Sequence, residues 1–166
     1  VGSAGLFAST AEAEAAEALR VSERLAGRIA GPRTLSFYNT HTGEDLTATF
    51  WRGGTYNTSA LSEINYILRD FRSGDVHEMA PGLLNLLSTL QHRLGVQGKT
   101  LQIISGYRSP RTNKMLRATR EGGVATKSYH MKGMAMDLRM SGVSGAAIAR
   151  EAKAMQLGGV CFYLHE

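Results

Sequence analysis

A chain of 166 residues suits one domain, long enough to bury an ordinary core without staples. Hydrophobic residues make up 43% and charged residues 20%, the composition of a soluble globular protein. A single cysteine, Cys161, excludes an internal disulfide, and no run reaches the eighteen or so apolar residues of a membrane span. The net charge of +5 and pI near 9.6 suit nucleic acid, and equally an anionic cell wall. Most basic residues are scattered. Only Arg108 to Arg120 is dense, at helical spacing, and a solvated helix face accounts for it, so no nucleic-acid partner is expected.

Residues Val1 to Ala15 begin small and apolar and pass into an Ala-x-Ala pattern, the form of an export signal ending near its cleavage site. A flexible Ala-rich tail is the alternative. The positively charged start of a signal is absent, so the sequence reads as a fragment that begins inside one. Residues 16–33 follow as a linker helix, with Leu19, Val21, Leu25 and Ile29 near helical spacing before Gly31-Pro32. Residues 34–166 then form the domain.

Thr34 to Asn39 and Leu46 to Trp51 read as two strands around the polar turn Thr42-Gly43-Glu44-Asp45, with Gly53-Gly54 closing the hairpin. Asn57 or Thr58 caps a helix with the apolar stripe Leu61, Ile64, Ile67, Leu68 and Phe71, ended by Ser73-Gly74. Pro81 starts a second, with Leu83, Leu84, Leu87, Leu90 and Leu94 on one side and Gly95 at its end. His92 on that helix reads as a surface or structural histidine. Leu101 to Ser105 is a short buried strand, and Ser109-Pro110 opens a helix to about Thr119. Ser144 caps a helix over Gly145 to Met155, and Gly158-Gly159 precedes a last strand, Val160 to Leu164. In that strand Cys161 reads as a small buried hydrophobe. Helices and strands do not alternate regularly, which predicts α+β with an antiparallel sheet and flanking helices.

The chemistry gathers in Ser128-Tyr129-His130-Met131-Lys132-Gly133-Met134-Ala135-Met136-Asp137-Leu138. Gly133 followed by the Met-Ala-Met-Asp-Leu alternation reads as a loop entering a strand, with His130 on the loop and Asp137 on the strand. Met134, Met136 and Leu138 then share one face, and Ala135, Asp137 and Arg139 the other. An imidazole and a carboxylate suit zinc, whose catalytic sites take three protein ligands and leave one position open. By spacing alone such a pair is more often unrelated. The pattern gains weight beside Ser105-Gly106-Tyr107-Arg108-Ser109-Pro110 upstream.

These segments, with Leu35 to Glu44, Thr112-Asn113 and Gly158-Gly159-Val160, resemble the zinc peptidases of the D-alanyl-D-alanine carboxypeptidase and murein endopeptidase class. The closest likeness is to a bacterial branch long known as a domain of unknown function, and it covers roughly residues 34 to 164. The resemblance implies a hedgehog/DD-peptidase-like fold, a Zn2+ cofactor, hydrolysis of peptidoglycan peptides, a periplasmic or secreted location and a monomer. By position, His130 and Asp137 match two of the three zinc ligands. Arg108 matches a catalytic and substrate-binding arginine, whose fork suits a substrate carboxylate or a developing oxyanion; apart from the motifs it would read as an exposed loop arginine. Ser128 could bind substrate or simply form the turn. Tyr107 and Asn113 are expected to shape the cleft.

In such relatives a histidine completing the zinc site follows several residues after the Gly-Gly-Val strand. Here His165 comes too early for that role without a shift of the strand end, so the third ligand and general base are expected beyond Glu166. A non-catalytic peptidoglycan-binding relative with an incomplete metal site is the competing reading.

Overall fold

The computed structural model describes residues 31–119 and 124–157, together with Arg20 and Val160. The signal and linker-helix expectations for residues 1–30, the last strand, Cys161 and His165 lie outside the described residues.

The strands are β1 (Arg33–Asn39), β2 (Asp45–Arg52), β3 (Thr55–Tyr56), β4 (Thr100–Ser105) and β5 (Asp137–Met140). The helices are α1 (Thr58–Ile67), α2 (Pro81–Arg93), α3 (Pro110–Thr119) and α4 (Gly145–Met155), and a 3-10 turn spans Tyr129–Lys132. The sheet order is β3-β2-β1-β4-β5. As expected, the fold is α+β with a largely antiparallel sheet and helices against it. The β1–β4 pair is parallel, running from Ser36↔Thr100 to Asn39↔Ile103. A parallel neighbour requires a long crossover, and residues 40–99, holding α1 and α2, supply it.

Strand β1 shows why one face is covered. Its alternate residues Arg33, Leu35, Phe37 and Asn39 are buried, and the residues between them face the other way. Leu35, Phe37 and Phe50 pack with Ile64 and Leu68 from α1, Leu84 and Leu87 from α2, and Leu101 and Ile103 from β4. On the opposite face, hydroxyls pair across β1 and β2 at exposed positions: Thr34 with Thr49 at 2.8 Å and Ser36 with Thr47 at 2.9 Å. One sheet face is core and the other is polar, the usual division in antiparallel pairs.

Two buried polar residues at the ends of β1 tie the layers together. The Arg33 guanidinium donates to Asn85 Oδ1 on α2 at 2.7 Å and lies 4.0 Å from the centre of the Trp51 ring. Asn39 Nδ2 donates to the Ile67 carbonyl at the end of α1, 2.9 Å away.

Three local features differ from the sequence reading. Helix α1, capped by Asn57 as expected, stops at Ile67 instead of running to Ser73. Phe71 therefore leaves the helical stripe and stacks on His41 at 3.7 Å. The glycines at 53 and 54, both at positive φ, reverse the chain so that Thr55 and Tyr56 add a third strand beside β2. Strand β5 begins only at Asp137, because the amide of Met134 is still bound back to the Tyr129 carbonyl at 3.1 Å.

Leu84 has no exposed surface. Leu84→Ala is expected to lower unfolding free energy by about 2–5 kcal/mol, read by urea denaturation, because removing its atoms leaves a cavity among rigid neighbours.

Candidate active site

The site is built from the exit of β4, the 3-10 turn and the start of β5. Ser128 caps the turn, its Oγ accepting the His130 amide at 3.3 Å. At the other end Gly133 turns left-handed at φ 65°, and its carbonyl accepts the Ala80 amide at 2.9 Å. A Cβ at Gly133 would lie 2.2 Å from the Glu78 carbonyl oxygen, so the close approach itself selects glycine. The turn is thus held from both sides and presents His130 toward β5.

The His130 Nδ1 sits 2.8 Å from the Gly106 carbonyl oxygen. A carbonyl only accepts, so Nδ1 carries the proton and Nε2 of the neutral ring keeps its lone pair. That lone pair faces Asp137 Oδ2 at 3.4 Å. Two acceptors this close call for a cation between them, either a proton that makes His130 imidazolium or a metal ion. Donor atoms bound at about 2.0–2.1 Å across a tetrahedral angle stand about 3.3–3.4 Å apart, so the pair fits zinc. The carbonyl at Nδ1 is also the usual outer partner of a ligating imidazole. Asp137 is about one-third exposed and His130 about one-eighth, so a ligand can reach the carboxylate. Among the described residues, no group of three or more His, Cys, Asp or Glu side chains comes together as a metal cage.

Arg108 joins this arrangement through its backbone, whose amide donates to the His130 carbonyl at 3.1 Å. The candidate residues Arg108, Ser128, His130 and Asp137, 29 positions apart at most, therefore meet at one place. The geometry makes Ser128 a turn cap. Tyr107 stacks on His77 with ring centres 4.7 Å apart, and burial, then Asp75 and Asp70, pushes its hydroxyl pKa upward. Asn113 is buried and donates to the Ala125 carbonyl at 3.1 Å, steadying the approach to Ser128. His92 is exposed and bonds Gln97, as a surface histidine would. A groove of about 560 Å³ opens beside the turn, between residues 76–81 and Lys132 with Met134.

One residue of this neighbourhood went unnoticed in the sequence. Asp70, just past α1 and only 1% exposed, accepts the Ser109 amide at 2.9 Å and the Ser109 hydroxyl at 2.7 Å on Oδ2, and the Arg72 amide at 3.0 Å on Oδ1. Burial alone would raise its pKa. The hydrogen bonds from the Thr112 and Ser109 side chains and the Ser109 and Arg72 amides outweigh it, holding the carboxyl at about 2 against an ordinary 3.8. Its only signal in the sequence is an acid between Arg69 and Arg72 at the end of an apolar stripe.

Comparison with known proteins defines the class first. The model of a peptidase family, described as peptidoglycan L,D-endopeptidase MepK, matches residues 28–166. The Peptidoglycan L,D-endopeptidase MepK of Escherichia coli strain K12 is 45% identical over 132 residues, covering 80% of this chain and 71% of the relative; that of Shigella flexneri gives the same figures. The Probable peptidoglycan L,D-endopeptidase MepK of Haemophilus influenzae is 38% identical over 132 residues, covering 80% and 70%. No solved structure matches the chain. The chain belongs to the MepK family of peptidases.

Two outcomes test these supports. Gly133→Ala should cost about 2–4 kcal/mol in thermal or urea unfolding, since it combines a left-handed φ with a backbone clash. Asp70 has a folded pKa below its unfolded value, so its contribution is present above about pH 4 and is lost as pH falls toward 2. Urea titrations across that window should show about 2 kcal/mol of acid-sensitive stability that Asp70→Asn lacks.

Proposed function

We propose that this chain is a zinc-dependent peptidoglycan L,D-endopeptidase working in the periplasm or outside the cell. The observation that carries the reading is the His130–Asp137 pair: an imidazole whose Nδ1 is bound to a backbone carbonyl and whose Nε2 faces a carboxylate at the separation of two zinc ligands. Membership of the peptidase family supports peptide hydrolysis, and the names of the relatives supply the bond class. The net charge of +5 suits an anionic wall polymer. Among the described residues no helix is long and apolar enough to cross a membrane.

In this reading His130 and Asp137 are two ligands, and the third comes from outside the described residues. When bound, zinc supplies Lewis-acid polarisation of the scissile carbonyl and acidifies water. The chain's own groups do the positioning. The Gly106 carbonyl fixes the His130 ring and its tautomer, and Ser128 holds the turn. Arg108 supplies a permanent positive charge for a substrate carboxylate or for the oxygen that gains charge as the peptide bond is attacked. The groove between residues 76–81 and Lys132 receives the peptide on one side of the reacting bond.

Purified sacculi provide the test. The wild-type protein should release soluble muropeptides and hold about one zinc, and excess chelator should abolish release. His130→Ala and Asp137→Ala should each lose both zinc and hydrolysis, by at least about a thousandfold in rate. Hydrolysis persisting in either variant, or in chelator, would overturn the zinc assignment. Co-sedimentation with sacculi but no release would make the chain a binding relative instead.

A further inference from the structure

We propose that Asp70 is a positioning residue for the reaction, a buried carboxylate that acts through Ser109 to hold the Arg108 segment against the His130 turn. The inference rests on the function proposed above for Arg108 and His130.

Three consecutive amides leave β4 toward three different anchors. The Tyr107 amide donates to the Leu68 carbonyl at 2.8 Å, the Arg108 amide to the His130 carbonyl at 3.1 Å, and the Ser109 amide to Asp70 at 2.9 Å. The two outer anchors both lie at the end of α1. The middle one is the turn that carries the histidine. Arg108 is therefore stretched between fixed points, and the Asp70 end is the one made by a side chain.

Helix formation does not account for that carboxylate. Ser109 Oγ already accepts the Thr112 amide at 3.2 Å, which is the cap that α3 needs. The groups that donate to Asp70, the amides of Ser109 and Arg72 and the hydroxyls of Ser109 and Thr112, are all neutral. Burying an ion with neutral partners costs several kcal/mol before those bonds recover it. What the acid adds is location. It ties the residue just before α3 to the segment just past α1, across 39 positions of sequence, with its own backbone bound into the same loop by Asp70 N–H to the Asp75 carbonyl at 3.0 Å.

The consequence reaches the imidazole by two routes. Gly106 O accepts the His130 Nδ1 proton, and Arg108 N–H binds His130 O. A shift of residues 106–109 therefore tilts the ring as well as displacing the arginine. With its carboxyl held at about 2 against an ordinary 3.8, Asp70 is a fixed negative charge above about pH 4.

A double-mutant cycle tests this on the full chain. Asp70→Asn and Arg108→Lys are each expected to lower kcat/KM on sacculi by about tenfold or more, and the double variant to fall within about threefold of Arg108→Lys alone. Leu84→Ala, which destabilises the core elsewhere, is the control and should keep kcat/KM within about twofold under folded conditions. In the metal-free protein, the His130 Cε1 proton resonance should move in Asp70→Asn and stay in Leu84→Ala. Multiplicative losses in the cycle, or an unmoved His130 resonance, would overturn the proposal. If Asp70→Asn fails to fold, Ser109→Ala, which keeps the Ser109 amide bond, carries the same measurements. If the wild-type protein releases nothing from sacculi, the functional reading fails, and the His130 resonance still decides whether Asp70 positions the ring.

Discussion

A single backbone hydrogen bond, from the Tyr107 amide to the Leu68 carbonyl, decides where the sheet ends and the chemistry begins. It closes at 2.8 Å only because residue 106 is glycine; a Cβ there would stand 2.5 Å from the same oxygen. The close approach pulls the chain off β4 and over the end of α1. From that point the Gly106 carbonyl is turned outward to the His130 ring, and the next two amides find the histidine turn and Asp70. Gly133 repeats the device on the far side, where its missing side chain lets the histidine turn lie against residues 78–80. Two glycines, each admitting a backbone oxygen into the space of a side chain, thus fix the site.

The same kind of contact ties down the loops themselves. Residues 106–109 and 128–133 have no regular strand or long helix of their own, yet the amides of Tyr107, Arg108, Ser109, His130, Met131 and Gly133 each donate to a carbonyl or a side chain. Binding and catalytic groups are commonly carried on loops that a rigid scaffold positions. Here the scaffold reaches into the loops through backbone atoms. A site whose groups are held in place beforehand loses less freedom on binding.

Much of this was legible in the sequence, and the reasons are local. The hairpin was marked by alternation on either side of Thr42-Gly43-Glu44, and α1, α3 and α4 by Asn57, Pro110 and Ser144. His130 on a loop and Asp137 on a strand followed from Gly133 and the alternation after it. What escaped were relations between distant segments. The parallel pairing of β1 with β4 depends on how two helices cross the sheet, which no window of residues encodes. At the early end of α1 the Ile67 carbonyl is taken by a side-chain amide 28 positions away, donated by Asn39. Asp70 resembled any solvated acid between arginines, because the group that binds it, Ser109, lies 39 positions along the chain. The likeness to cell-wall peptidases, and not spacing, is what joins His130, Asp137 and Arg108 as candidates.

The outermost strand of the described sheet, β3, is only Thr55–Tyr56. It follows two glycines at positive φ that bend the chain sharply, and α1 begins two residues after it. Its pairing with β2 reaches only Trp51 and Arg52. The remainder of β2, Asp45 to Phe50, has no strand on that side among the described residues. The hairpin at Gly53-Gly54 therefore closes only one end of that edge, and an edge strand is where a further strand pairs.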